Sequence, residues 1–119
     1  MIGRILLVED DLDLGVTLQM FLEMHHFKVD VVRDAESALE ALEVSPVDLL
    51  ITDHQLPGMS GQGLAARLRG CVDPVPVVAF TGGDETEALQ ASGLFAGILR
   101  KPCEPLRLVQ LIEKVLGHR

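Results

Sequence analysis

Four short groups of polar residues, each following an apolar run, carry the chemistry this sequence can offer: Glu9-Asp10-Asp11, Asp53, Thr81 and Lys101. Carboxylates from the first two groups, brought together, would make a hard oxygen site suited to a divalent cation such as magnesium, which usually keeps several of its waters. Without a cation such carboxylates raise one another's pKa, so the arrangement is costly for a purely structural role. A lysine ammonium and a threonine hydroxyl beside them are what a phosphoryl group needs once it sits on a carboxylate, because phosphoryl transfer depends mostly on positioning and charge neutralisation. The chemistry expected is therefore phosphoryl acceptance by Asp53, with an aspartyl phosphate as product. Glu9 to Asp11 by themselves read as solvated acids capping a helix, the commoner fate of an acidic triplet; the other three groups reverse that weighting.

All four groups can meet only if the elements before them run side by side. Ile5 to Val8 is a short β-branched apolar run, and it stops where three adjacent acids make further burial too costly. From Leu12 to His26 the residues Leu14, Leu18, Phe21 and Leu22 recur at the spacing of a helix laid on a sheet, with Asp11 or Asp13 able to cap it. Lys28 to Val32 gives a second strand. A second helix opens at Asp34, places Ala35, Ala38, Leu39 and Leu42 on one face, and ends before Pro46. Val47 to Thr52 is the third strand, presenting Asp53 at its C-terminal end, after which Pro57, Gly58 and Gly61 break the chain into a loop. A short helix follows over Gly63 to Arg69. Val77 to Phe80 is a fourth strand ending at Thr81-Gly82-Gly83, and Asp84 is expected to cap a weak helix whose one sizeable apolar residue is Leu89. Ala96 to Leu99 is the fifth strand, and the last helix runs from about Glu104 to Leu116, with Gly117 as its stop.

Strands that are apolar on both faces and alternate with helices imply a parallel sheet covered on each side by right-handed crossovers. Ligands of such sheets bind outside the carboxyl ends of the strands, where four of the five strands here end in something polar and reactive. The second strand, ending at Arg33-Asp34, is expected at an edge. Composition agrees: 119 residues suit one domain, and 48% hydrophobic but only 3% aromatic residues require an aliphatic core. A formal net charge of −8 with scattered basic residues excludes the footprint of a nucleic-acid binder. Cys71 and Cys103 stand in no disulfide or zinc spacing, and no run approaches the roughly 18 apolar residues of a membrane span, so a reducing cytoplasm and an unprocessed N-terminus are expected. The turn after the first strand holds acids rather than glycines, which excludes a Rossmann or P-loop phosphate cradle.

In this order and spacing, Glu9-Asp10 after the first strand, Asp53 in Asp53-His54-Gln55-Leu56-Pro57-Gly58-Met59-Ser60-Gly61, Thr81-Gly82 after the fourth and Lys101-Pro102 after the fifth resemble one family across essentially the whole chain. That family is the receiver domain of two-component response regulators, typified by the chemotaxis response regulator. The resemblance implies a single receiver domain over residues 1–119 with a flavodoxin-like, doubly wound (βα)5 sandwich and a five-stranded parallel sheet of order 2-1-3-4-5. It implies that Asp53 accepts phosphate from a phosphohistidine and that Mg²⁺, or Mn²⁺ in its place, is held by Asp10, Asp53 and the backbone carbonyl of Gln55, with Glu9 nearby or acting through water. Lys101 would contact the phosphoryl oxygens, Thr81 would swing towards them as the switch hydroxyl, and the bond before Pro102 would be cis. The partners implied are a sensor histidine kinase or a histidine phosphotransfer protein. The domain would be a phosphoacceptor, with at most self-phosphorylation from small phosphodonors and self-dephosphorylation.

One position departs from the pattern: the residue three before the motif lysine is usually aromatic and here is Ile98. Thr81 is still expected to respond to phosphate, with the signal leaving through Ile98 packing or another surface. The last helix carries Leu106, Leu108, Val109, Leu111, Ile112, Val115 and Leu116, more than one core stripe, so an effector or homodimer surface is expected there, with a wider buried stripe as the alternative. Any effector domain would follow His118-Arg119. His54 is expected to turn its ring away from the site, His25 and His26 to face solvent, and Cys103 to be a small buried hydrophobe; Gln55 and Gly83 flank the site where side-chain size governs water access. Two other functions compete. A phosphatase of the haloacid dehalogenase type also uses a strand-end Asp, Mg²⁺ and a lysine, but wants a second Asp where Gln55 stands and normally a longer chain with a cap. A receiver-like interaction module without phosphorylation draws support from Ile98 and is opposed by the retained Asp10, Asp53, Thr81 and Lys101.

Overall fold

The structure, a computed structural model, describes residues 3–71, 74–82, 86–102 and 104–117. Its first strand, β1 (Gly3–Val8), sends Ile5 and Leu7 into one apolar cluster and Leu6 and Val8 into another, because successive strand residues point to opposite faces. A strand buried on both faces needs helices above and below. The chain supplies them in strict alternation: α1 (Leu12–Met24), β2 (Phe27–Val32), α2 (Ala35–Val44), β3 (Leu49–Asp53), α3 (Gly61–Arg69), β4 (Val77–Thr81), α4 (Thr86–Ala91), β5 (Gly97–Arg100) and α5 (Pro105–Val115). The five strands are parallel and ordered β2-β1-β3-β4-β5, the flavodoxin-like arrangement expected, with β2 at an edge.

Leu18 and Leu22 of α1 and Leu108, Val109 and Ile112 of α5 fill the cluster over one face, against Ile5, Leu7, Ile51, Val78 and Phe80. Ala35 and Ala38 of α2 with Leu64, Ala65 and Leu68 of α3 fill the other, against Leu6, Val8, Leu50 and Val77. The caps are local and sequence-encoded: Asp11 accepts from the Leu14 N–H at 3.2 Å, Asp34 from Ser37 at 2.8 Å and Ser60 from Gly63 at 3.0 Å. The Ser60 cap starts α3 two residues before the expected Gly63. β3 begins at Leu49 rather than Val47 because Asp48 pairs back onto β1, its N–H donating to the Arg4 carbonyl at 2.8 Å while its carboxylate accepts from the Arg4 N–H at 2.8 Å. The exposed edge of β2 is partly closed by Gln19, whose amide donates to the Val29 carbonyl at 2.8 Å. The expected cap of the fourth helix, Asp84, lies outside the described residues, as do Gly83, Cys103 and His118-Arg119.

The apolar face of α5 divides. Leu108, Val109, Ile112 and Leu116 are buried, Leu111 and Val115 pack partly buried against the same cluster, and Leu106 remains 51% exposed. Gly97 explains the position of Leu111: a Cβ added there would lie 2.9 Å from both Leu111 methyl carbons, so Leu111 settles into the space a side chain on β5 would have taken. A larger exposed apolar row stands on α1, where Leu12 (71%), Val16 (42%), Met20 (62%) and Met24 (75%) recur every fourth residue on the face turned from the sheet. No helix among the described residues is long and apolar enough to cross a membrane.

Candidate functional site

Sheet register assembles the site before any side chain is considered. Val8 pairs with Thr52, which sets Glu9 level with Asp53; Asp53 pairs with Phe80, and Thr81 with Arg100, which sets Thr81 one step and Lys101 two steps beyond Asp53. Three backbone bonds hold these ends: the Glu9 N–H to the Val32 carbonyl at 2.9 Å, the His54 N–H to the Phe80 carbonyl at 2.8 Å and the Lys101 N–H to the Thr81 carbonyl at 2.7 Å. The Lys101–Pro102 peptide bond is cis.

Within that frame the Lys101 ammonium bridges two carboxylates, 3.0 Å from Asp53 Oδ2 and 3.3 Å from Glu9 Oε1. Glu9 is almost wholly buried at 3% exposure, and its second oxygen accepts from the Asp11 N–H at 3.1 Å. Asp53 is half-buried, and its Oδ1 accepts from the Gln55 N–H at 3.3 Å, which fixes the first residues of the loop. Glu9, Asp10 and Asp53 each bring a carboxylate oxygen to within 4.8 Å of the others, with Asp10 exposed at the mouth. Three hard oxygen donors, one open to water, are a donor set that fits a small divalent cation. Thr81 is buried at the same edge, and Ile98, opposite Ala79 in the register, is half-buried on β5.

The charges are not evenly satisfied. Burial lifts the Glu9 carboxyl above its ordinary value; the Asp11 N–H and Lys101 pull it down and Asp53 pushes it up, so the rise survives. Burial alone would lower Lys101, but the hydrogen bond it donates to Asp53 and the charges of Glu9 and Asp53 hold it above its ordinary value. Because the folded state binds the Glu9 proton more tightly than the unfolded chain, ionised Glu9 destabilises the fold at neutral pH, and that penalty fades as pH falls through the raised value towards 4.5. Without divalent cations, Glu9→Gln should therefore melt a few degrees above the wild type at pH 7, with the gap closing on acidification. Equal melting temperatures at pH 7, or a gap that widens in acid, would count against this.

His54 has its Nδ1 buried without a partner among the described residues. His26 is exposed with φ of 75°, as the turn into β2 requires, whereas His25 is half-buried rather than solvent-facing, its ring 4.7 Å from that of Phe21. Sequence reasoning missed two features. One is the close seat of Gly61, read only as a loop breaker and motif residue: an added Cβ would lie 2.5 Å from the Asp53 carbonyl oxygen. The other is the outer row of α1, legible as a second i, i+4 series beside the inner one.

Residues 5–113 match the model of the response regulator receiver domain. The chain belongs to that family. It is a receiver domain of two-component response regulators, a signalling domain. Among curated relatives, the regulatory protein VanR of Enterococcus faecium is 31% identical over 119 residues, 98% of this chain and 51% of VanR. The transcriptional regulatory protein FixJ of Bradyrhizobium diazoefficiens is 32% identical over 116 residues, 96% of this chain and 57% of FixJ. The chain thus spans about half the length of these relatives. Among solved structures, a response regulator receiver domain from Methylobacillus flagellatus superposes with a TM-score of 0.85 at 29% identity, covering 94% of this chain and 97% of that one.

Proposed function

We propose that Asp53 is the phosphoacceptor of this receiver domain and that residues 1–119 act as one such unit. The observation that carries the reading is the bridge from Lys101 to Asp53 and Glu9, an ammonium seated at 3.0 Å from the half-buried carboxylate that ends β3. In the reaction, an Asp53 carboxylate oxygen forms a bond to phosphorus as the bond from phosphorus to a donor histidine nitrogen breaks, the electron pair returning to the imidazole. Lys101 holds Asp53 in place before transfer and then meets the added phosphoryl oxygens; Thr81 turns its hydroxyl to the same group as the switch, with Ile98 packing as the next link. Asp10, Asp53 and the Gln55 carbonyl would hold Mg²⁺ or Mn²⁺, with Glu9 close by or through water. A bound cation supplies charge neutralisation on the transferring group.

The donor is read as a sensor histidine kinase or histidine phosphotransfer protein in the cytoplasm, with at most self-phosphorylation from small phosphodonors and self-dephosphorylation as side activities. The exposed row Leu12, Val16, Met20 and Met24 begins two residues after Asp10 and suits a partner helix that brings the histidine alongside. Incubation with acetyl phosphate and Mg²⁺ should add the mass of one phosphoryl group, and omission of Mg²⁺ should remove the gain; a chain that never gains phosphate sinks the proposal. Met20→Glu should leave that reaction unchanged and slow transfer from the protein donor about tenfold or more. Equal slowing with both donors would place the defect in the site and not in docking.

A further inference from the structure

Between α1 and the start of α5, beside the phosphoacceptor site, a cavity of about 220 Å³ is walled by Leu14 and Leu18 on one side and by Pro102 and Leu108 on the other. Its remaining walls are Phe80, Lys101 and Pro105. The Lys101 ammonium is committed to Asp53 and Glu9, which leaves its methylene chain to the cavity, so the lining is apolar among the described residues and a charged ligand would find no partner among them. An apolar cavity of about 150 Å³ accepts benzene; this one has room for a fused second ring. A flat ring also suits the neighbouring Phe80 ring and the lysine cation at the margin better than a branched aliphatic does.

Phe80 and Lys101 are not bystanders. Phe80 pairs with Asp53 in the sheet and its carbonyl holds the His54 N–H at 2.8 Å, while Lys101 contacts Asp53 itself. We infer that this cavity binds a neutral aromatic molecule of one or two fused rings, and that its occupation slows phosphoryl acceptance by packing Lys101 in its resting position. The second half rests on the assignment of Asp53 as acceptor. Lys101 must re-aim from the Asp53 and Glu9 carboxylates to the incoming phosphoryl oxygens, and a ring against its stem favours the conformation that has not moved.

Indole is the probe. Methyl NMR should show saturable shifts at Leu14, Leu18 and Leu108 at millimolar indole, lost in Leu14→Phe or Leu18→Phe, each of which fills the space; whichever variant retains the wild-type spectrum decides. Saturating indole should slow phosphorylation by acetyl phosphate with Mg²⁺ by about fivefold in the wild type and leave the filled variant unaffected. Absent or unsaturable shifts, or shifts that persist unchanged in the filled variant, overturn the binding site. Saturable binding with an unchanged rate overturns the regulatory half. A wild type that gains no phosphate without indole fails the acceptor assignment and the regulatory half with it, while NMR alone still decides whether the cavity binds.

Discussion

Asp53→Asn is expected to abolish phosphorylation by acetyl phosphate, with no phosphoryl mass gain at times when the wild type is fully modified. Asn is close in shape to Asp but has no anionic oxygen to attack phosphorus. The change also removes one of three clustered carboxylates and the partner Lys101 holds at 3.0 Å, so nucleophile, donor set and cation alignment fail together. Folding should survive. Lys101 keeps Glu9 at 3.3 Å, and loss of the Asp53 charge relieves one of the influences that raise the Glu9 carboxyl. A variant that keeps its melting temperature and gains nothing supports the assignment. Phosphate appearing at the wild-type rate, on Asp10 or elsewhere, would refute it.

Gly61→Ala should cost about 3 kcal/mol of stability and lower the melting temperature by roughly 10 °C. The added methyl would meet backbone on every near side, 2.5 Å from the Asp53 carbonyl oxygen, 3.1 Å from His54 Cα and 3.3 Å from the Asp53 carbonyl carbon. No side-chain rotation relieves such a contact, so α3 must lift or the end of β3 must bend. The Gly61 N–H also donates to the His54 carbonyl at 2.9 Å, the bond that closes the loop carrying Gln55, and the same movement strains it. Phosphoryl acceptance should therefore fall in molecules that remain folded. Gly63→Ala is the control on the same helix: its nearest contact is Met59 Cγ at 3.0 Å, part of a flexible side chain, and alanine is the better helix former. A Gly61→Ala protein as stable as Gly63→Ala would refute the role assigned to that close approach.

Much of the fold was legible because both its signals are local. Ile5 to Val8, Leu49 to Ile51 and Val77 to Phe80 are too apolar for a sheet with one wet face, and the helices between them carry their own caps at Asp11, Asp34 and Ser60. β3 begins later than expected for a non-local reason, Asp48 turning back to Arg4, whereas α3 begins earlier because of the local Ser60 cap, which the apolar spacing did not reveal. Surface exposure was harder to read. Counting apolar residues on the last helix left a free face and a wider buried stripe both open; Gly97 on another strand admits Leu111 while Leu106 stays exposed, and α1, read for its buried stripe, also carries Leu12, Val16, Met20 and Met24 in the open. Periodicity counts the faces of a helix; what covers each face is decided by its neighbours.

The sequence by itself determined which reactive groups stand at strand ends, and parallel pairing makes those ends converge whatever the helices do. Tertiary structure decided how they meet. Glu9 and Asp10 are adjacent and chemically alike, yet one is buried against Lys101 and the other exposed, a difference produced by the direction each side chain takes as β1 ends and α1 begins. The Lys101 bridge likewise joins residues 92 and 48 positions apart, and Gly61 seats closely on Asp53, through packing that no local pattern encodes.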